Sequence, residues 1–88
     1  MELEEWCRGK GDFENQKNGW LCSFENGTEI KKTGQEFVAK VLPEGHHDDT
    51  NHIKDVFRSK NPEVVSEDSL MFGAERVTFH KGVLINKD

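Results

Sequence analysis

The chain has 88 residues, 17 acidic against 12 basic side chains and a formal net charge of −5. That length gives one domain, residues 1–88, with a thin core. The acidic excess argues against a sequence-independent binder of nucleic acid backbone, which needs clustered Lys and Arg. No stretch approaches the ~18 apolar residues of a membrane span. No signal-peptide pattern opens the chain, so a cytoplasmic, reducing location is expected, with no membrane partner. The only cysteines, Cys7 and Cys22, are then expected as two free thiols. Six Phe and two Trp must supply most of the buried area, since each ring covers roughly 150–250 Å².

Leu3, Trp6 and Cys7 fall at i, i+3 and i+4, which predicts a short N-terminal helix with its acids in the first turn and Gly9 and Gly11 at its end. Lys10 to Asn18 reads as a loop anchored by Phe13. Trp20, Cys22 and Phe24 then alternate with Leu21, Ser23 and Glu25, the period of a strand. At Asn26-Gly27 a three-residue loop, Glu25-Asn26-Gly27, pairs Cys22 with Ile30 and keeps the apolar face whole, whereas a two-residue loop splits it. A second turn at Thr33-Gly34 pairs Ile30 with Phe37. Strands over 19–25, 28–32 and 35–42 thus make a meander with Trp20, Cys22, Phe24, Ile30, Phe37, Ala39 and Val41 on its inner face. After Pro43-Glu44-Gly45, the spacing of Ile53, Val56 and Phe57 predicts a helix of about three turns, stopped at Asn61-Pro62. Val64 and Val65 read as a brief edge strand. Residues 74–87 form a final hairpin. A three-residue loop, His80-Lys81-Gly82, would pair Phe79 with Val83 and Val77 with Ile85 and gather four apolar side chains.

The resulting order is short helix, three strands, helix, two strands. It predicts an α+β domain built on a small five-stranded antiparallel sheet or an OB-like partly open barrel. The run from Phe13 to Phe24, with Asn15, Lys17 and Gly19, resembles the first aromatic strand region of cold-shock domains, without that family's repeated aromatic-glycine pattern.

Three surface constellations bear on function. Acidic residues lie in three sequence clusters: Glu2/Glu4/Glu5, Glu44/Asp48/Asp49 and Glu63/Glu67/Asp68. An acidic, partly apolar face made of Glu44, Asp48, Asp49, Glu63, Glu67 and Asp68, with Phe72 as an apolar anchor, would dock on a basic surface of a partner protein. Inhibitors, immunity proteins and phage-encoded antagonists use that logic. The alternative is an OB-type binder of single-stranded nucleic acid, with Lys10, Lys17, Lys31, Lys32 and Lys40 tracking phosphates and Phe13 and Trp20 stacking bases. A metal-binding accessory protein is the third reading. His46, His47, Asp48 and His52 are ligand types for Zn, Ni or Cu, but their spacing matches no established site, and no metal or other cofactor is expected. No triad, paired carboxylates or cofactor fingerprint points to an enzyme. In solution a monomer is expected, or a homodimer paired through free sheet edges.

Overall fold

The computed structural model describes residues 1–46 and 51–86. One helix, α1 (Leu3–Lys10), is followed by strands β1 (Asp12–Gln16), β2 (Gly19–Ser23), β3 (Glu29–Thr33), β4 (Glu36–Val41) and β5 (Asp55–Ser59). Four more strands complete the chain: β6 (Glu63–Ser66), β7 (Ser69–Phe72), β8 (Glu75–His80) and β9 (Val83–Asn86). The strands form two antiparallel sheets in sequence order, β1-β2-β3-β4-β5 and β6-β7-β8-β9. The fold is a small α+β fold. The sequence predicts a single five-stranded antiparallel sheet or an OB-like partly open barrel; the structure instead has two sheets, of five and four strands, that do not close into a barrel. Each sheet is an up-and-down meander, and they meet through Leu42, whose bridge to Ile85 is parallel.

The meander reading holds for the central strands. Cys22 pairs with Ile30, and the Phe24 amide donates to the Thr28 carbonyl at 2.9 Å, which closes the three-residue turn at Glu25-Asn26-Gly27. Trp20, Cys22, Ile30, Ala39 and Val41 are buried, with Phe24 and Phe37 packed beside them. The turn between β3 and β4 sits one residue further on than expected. Thr33 pairs with Glu36 and Ile30 with Ala39, not Phe37. Because the partner moves by two positions, the inner face is unchanged.

Three segments depart from the sequence reading, one of them β7 over Ser69–Phe72, where no strand was expected. The expected helix around Ile53, Val56 and Phe57 is absent; β5 occupies its place and pairs with β4, Phe57 opposite Ala39. Of the three apolar residues only Val56 and Phe57 lie in the strand, which sends Phe57 inward and leaves Val56 48% exposed, while Ile53, ahead of the strand, is 85% exposed. The free edge of β4 supplies the deciding term, since its backbone groups need partners. Likewise the expected loop from Lys10 to Asn18 contains β1, an edge strand whose single apolar residue, Phe13, pairs with Cys22. Gly19, where β2 begins, lies so close to β3 that a Cβ there would collide with the Lys32 carbonyl oxygen.

In the second sheet, Val64 pairs with Leu70 on the edge strand β6, as expected, and Val65 sits at a bulge. The last hairpin is tighter than expected. His80 pairs with Val83 and Phe79 with Leu84, leaving Lys81-Gly82 as a two-residue turn with φ of 51° and 84°. Positive φ at both positions matches the twist of a hairpin, and glycine takes the second without a steric cost. The face-matching argument fails for β9 because both of its faces are buried. Leu84 joins the main core, while Val83 and Ile85 pack with Leu42 in a second cluster.

The main core draws on α1 and both sheets. At its border Trp6, fully buried, forms a triangle with the half-buried Phe24 and Phe79, ring centroids 5.6–5.9 Å apart. Such tilted and edge-on pairs add to burial through the ring quadrupoles. The Trp6 indole N–H donates to the Glu67 carbonyl at 2.7 Å, so the one polar atom of this ring is satisfied.

Candidate functional site

α1 forms because its apolar residues share one side and its charges suit its ends. Leu3, Trp6 and Cys7 are buried, Glu4 and Glu5 occupy the first turn, and Arg8 and Lys10 the last. Acids near the helix N-terminus and bases near its C-terminus complement the helix dipole. The buried side packs onto the core, which sets α1 beside β1 of one sheet and β6 of the other. This placement has an electrostatic result that no single segment predicts. Glu2 at the N-cap of α1 and Glu4 in its first turn line one cleft with Glu63 of β6, and Trp6 and Lys10 reach Glu67 of the β6–β7 turn, with Glu5 and Asp68 beside them in the chain. All six acids belong to exposed residues. Asp12 and Glu14 of β1 face the other way, on the outer face of the sheet with Lys40 and Lys31.

The cations in this neighbourhood are drawn toward rings and carboxylates. The Arg8 guanidinium carbon lies 3.9 Å from the Phe13 ring centroid, and Arg8 reaches Glu4 at 3.4 Å. Lys10 Nζ stands 4.0 Å from a Glu67 carboxylate oxygen and 5.8 Å from the Phe79 centroid. Exposed pairs of this kind contribute little stability. Their effect here is to spend the local positive charge, so the α1 side keeps a negative excess. A cleft of about 570 Å³ opens on the same side, between the first turn of α1 and residues 60–64. Its apolar lining includes Leu3, Trp20, Phe37 and Val64, and Glu2, Glu4, Glu63, Lys32 and Lys60 are charged residues along it.

The sequence-derived acidic face is therefore divided. Glu63, Glu67 and Asp68 are together, but their neighbours are the acids of α1. Glu44 is exposed in a turn after β4; Asp48 and Asp49 lie outside the described residues. Phe72 is not a surface anchor. It is 2% exposed and part of the core, because β7 points Leu70 and Phe72 to the same interior face.

The residues of the nucleic acid reading do not converge. Trp20 is 4% exposed, wedged between Phe13 at 5.3 Å and Phe37 at 6.0 Å, so its ring is not presented for base stacking. Phe13 is half-buried. Lys31 and Lys40 project from the outer face of the five-stranded sheet, opposite the face of Trp20 and Ile30. Lys32 lies on the inner-face side, its Nζ 5.5 Å from the Phe37 centroid. Lys17 sits in the β1–β2 turn, and Lys10 is held at Glu67.

Among the metal candidates, His46 and His52 stack with ring centroids 4.1 Å apart, while His47 and Asp48 lie outside the described residues. Among the described residues, no group of three or more His, Cys, Asp or Glu is arranged to hold a metal. Cys7 and Cys22 are free thiols, both fully buried. The Cys7 thiol is pushed far above its ordinary range by its hydrogen bond with Cys22, and further by burial and by the nearby Cys22 and Glu4. A thiol held protonated in this way is a poor nucleophile.

Sequence reasoning found the acids of α1 but placed them apart from those of β6. Their union depends on where the helix docks, and the one local signal for that is the Leu3/Trp6/Cys7 stripe. No helix among the described residues is long and apolar enough to cross a membrane. No family model, no curated protein and no solved structure matches this chain.

Proposed function

We propose that this protein is a small, non-enzymatic binding domain whose acidic α1 side docks on a basic surface of a partner protein, in the manner of an inhibitor or immunity protein. The observation that carries the reading is the gathering of acids from the first turn of α1 and the β6–β7 segment on one side of the molecule, next to a cleft with an apolar lining. Charge of one sign on one side speeds encounter with an oppositely charged surface and fixes its orientation. The buried, protonated Cys7 thiol favours a binding role over a nucleophilic one.

The test is capture of partners from a lysate at low and high salt on immobilised protein, beside a variant carrying Glu2→Lys, Glu5→Lys and Glu63→Lys. The reading expects a basic protein that the wild type holds at low salt, releases as salt rises, and that the variant captures at least about tenfold less well. All three positions are exposed, so circular dichroism should be unchanged. Equal capture by both proteins, or capture confined to nucleic acid, would overturn it.

A further inference from the structure

Cys7 on α1 and Cys22 on β2 are the two groups of this core with covalent chemistry available to them. Both are fully buried. The Cys22 thiol donates to the Cys7 carbonyl at 3.3 Å. The docking of α1 has therefore already set the Cys22 sulfur against Cys7, 15 positions away in sequence. We propose that Cys7 and Cys22 form a reversible disulfide that staples α1 to β2 when the protein meets a small disulfide oxidant of the glutathione type.

The burial that keeps these thiols inert also determines how the bond forms. A thiolate is the attacking species in disulfide exchange, and in the docked state the Cys7 proton is held by Cys22 and by the apolar surroundings. Reaction accordingly starts from opening of α1, a helix of eight residues whose anchors are Leu3, Trp6 and Cys7. Once opened, Cys7 gives its proton to solvent, and its thiolate attacks one sulfur of oxidised glutathione. A mixed disulfide forms and one glutathione thiolate leaves. When α1 closes again, Cys22 gives up its proton, attacks the Cys7 sulfur and expels the second glutathione. Two electrons pass from the cysteine pair to the oxidant, and the two protons end on the two glutathione thiols. Excess reduced glutathione reverses the sequence. In the oxidised form α1 is tethered to the sheet, so the staple stabilises the side of the molecule that carries Glu2, Glu4 and Glu5. The inference does not depend on which partner that side binds.

Intact-mass measurement tests it directly. Wild-type protein is incubated with excess oxidised glutathione in dilute urea, below the unfolding transition, then quenched in acid and analysed without reduction. The expected product lacks two hydrogen atoms, yields a cross-linked peptide joining residues 7 and 22, and melts at least about 5 °C above the reduced protein, as closure of a loop of this length implies. A Cys22→Ala variant should stop at a single glutathione adduct on Cys7. A wild-type product carrying two glutathiones without a cross-link, an unchanged mass, or a cross-linked form that melts below the reduced protein would each overturn the proposal.

Discussion

A buried hydroxyl helps to join the two sheets. Thr28 is 1% exposed; its Oγ1 donates to the Glu25 carbonyl at 2.7 Å and accepts the Leu84 amide at 3.3 Å. The turn after β2 is thereby fastened to β9, and the Glu25 amide adds a bond to the Gly82 carbonyl. Thr28→Val keeps the shape but removes both side-chain bonds, leaving the Leu84 amide buried without its partner. The expected loss is about 1–3 kcal/mol, read by urea unfolding, with Thr28→Ser recovering most of it. Trp6 acts at the same scale with a larger area. It touches Phe24 and Phe79 and donates to Glu67, so Trp6→Ala leaves a cavity where α1 and the two sheets meet. That variant is expected to lose about 3–5 kcal/mol, enough to unfold a domain of this size near its melting temperature.

At the scale of elements, β5 decides between two readings of the same residues. A helix over this stretch would bury Ile53, Val56 and Phe57 together. The strand buries part of Phe57 and leaves Val56 half in solvent, and Ile53 stands exposed ahead of it. Ile53→Lys and Val56→Lys are accordingly expected to change unfolding free energy by no more than about 0.5 kcal/mol, whereas Phe57→Ala should cost about 2 kcal/mol or more. Equal losses at all three positions would favour the helix. The same contrast explains what the sequence made legible. Trp20, Cys22 and Phe24 alternate strictly, one face of the sheet is buried, and Asn26-Gly27 marks the turn, so face and register there followed from period alone. β1 was not legible because Asp12, Glu14, Asn15 and Gln16 are loop-like residues, and their strand conformation comes from the edge of β2. The register of β9 was hidden for the opposite reason: Val83, Leu84 and Ile85 are all buried, so apolar matching cannot choose between pairings. The acidic side escaped the sequence in part for a third reason, since its members are joined only when Trp6 fixes α1 between the two sheets.

For the molecule as a whole, the buried thiol makes global stability depend on alkaline pH. Cys7 has an ordinary value of 9.0 and is raised well above it in the fold by the Cys22 hydrogen bond, burial, and the neighbouring Cys22 and Glu4. Above about pH 9 the unfolded chain gives up this proton while the folded chain retains it, so the unfolded state binds fewer protons. Unfolding free energy then falls as pH rises, by about 1.4 kcal/mol per unit for one such group. Below the ordinary value both states are protonated, and the contribution is fully present. Urea unfolding between pH 7 and 10.5 should therefore give a flat region followed by a decline, and Cys7→Ala should shift the whole curve downward yet remove that part of the alkaline slope. The Cys7–Cys22 disulfide, having no thiol to ionise, should remove it as well while shifting the curve upward. If the reduced wild type and Cys7→Ala lose stability in parallel above pH 9, then the Cys7 proton is not held by the fold, and α1 does not seal the thiol pair from water.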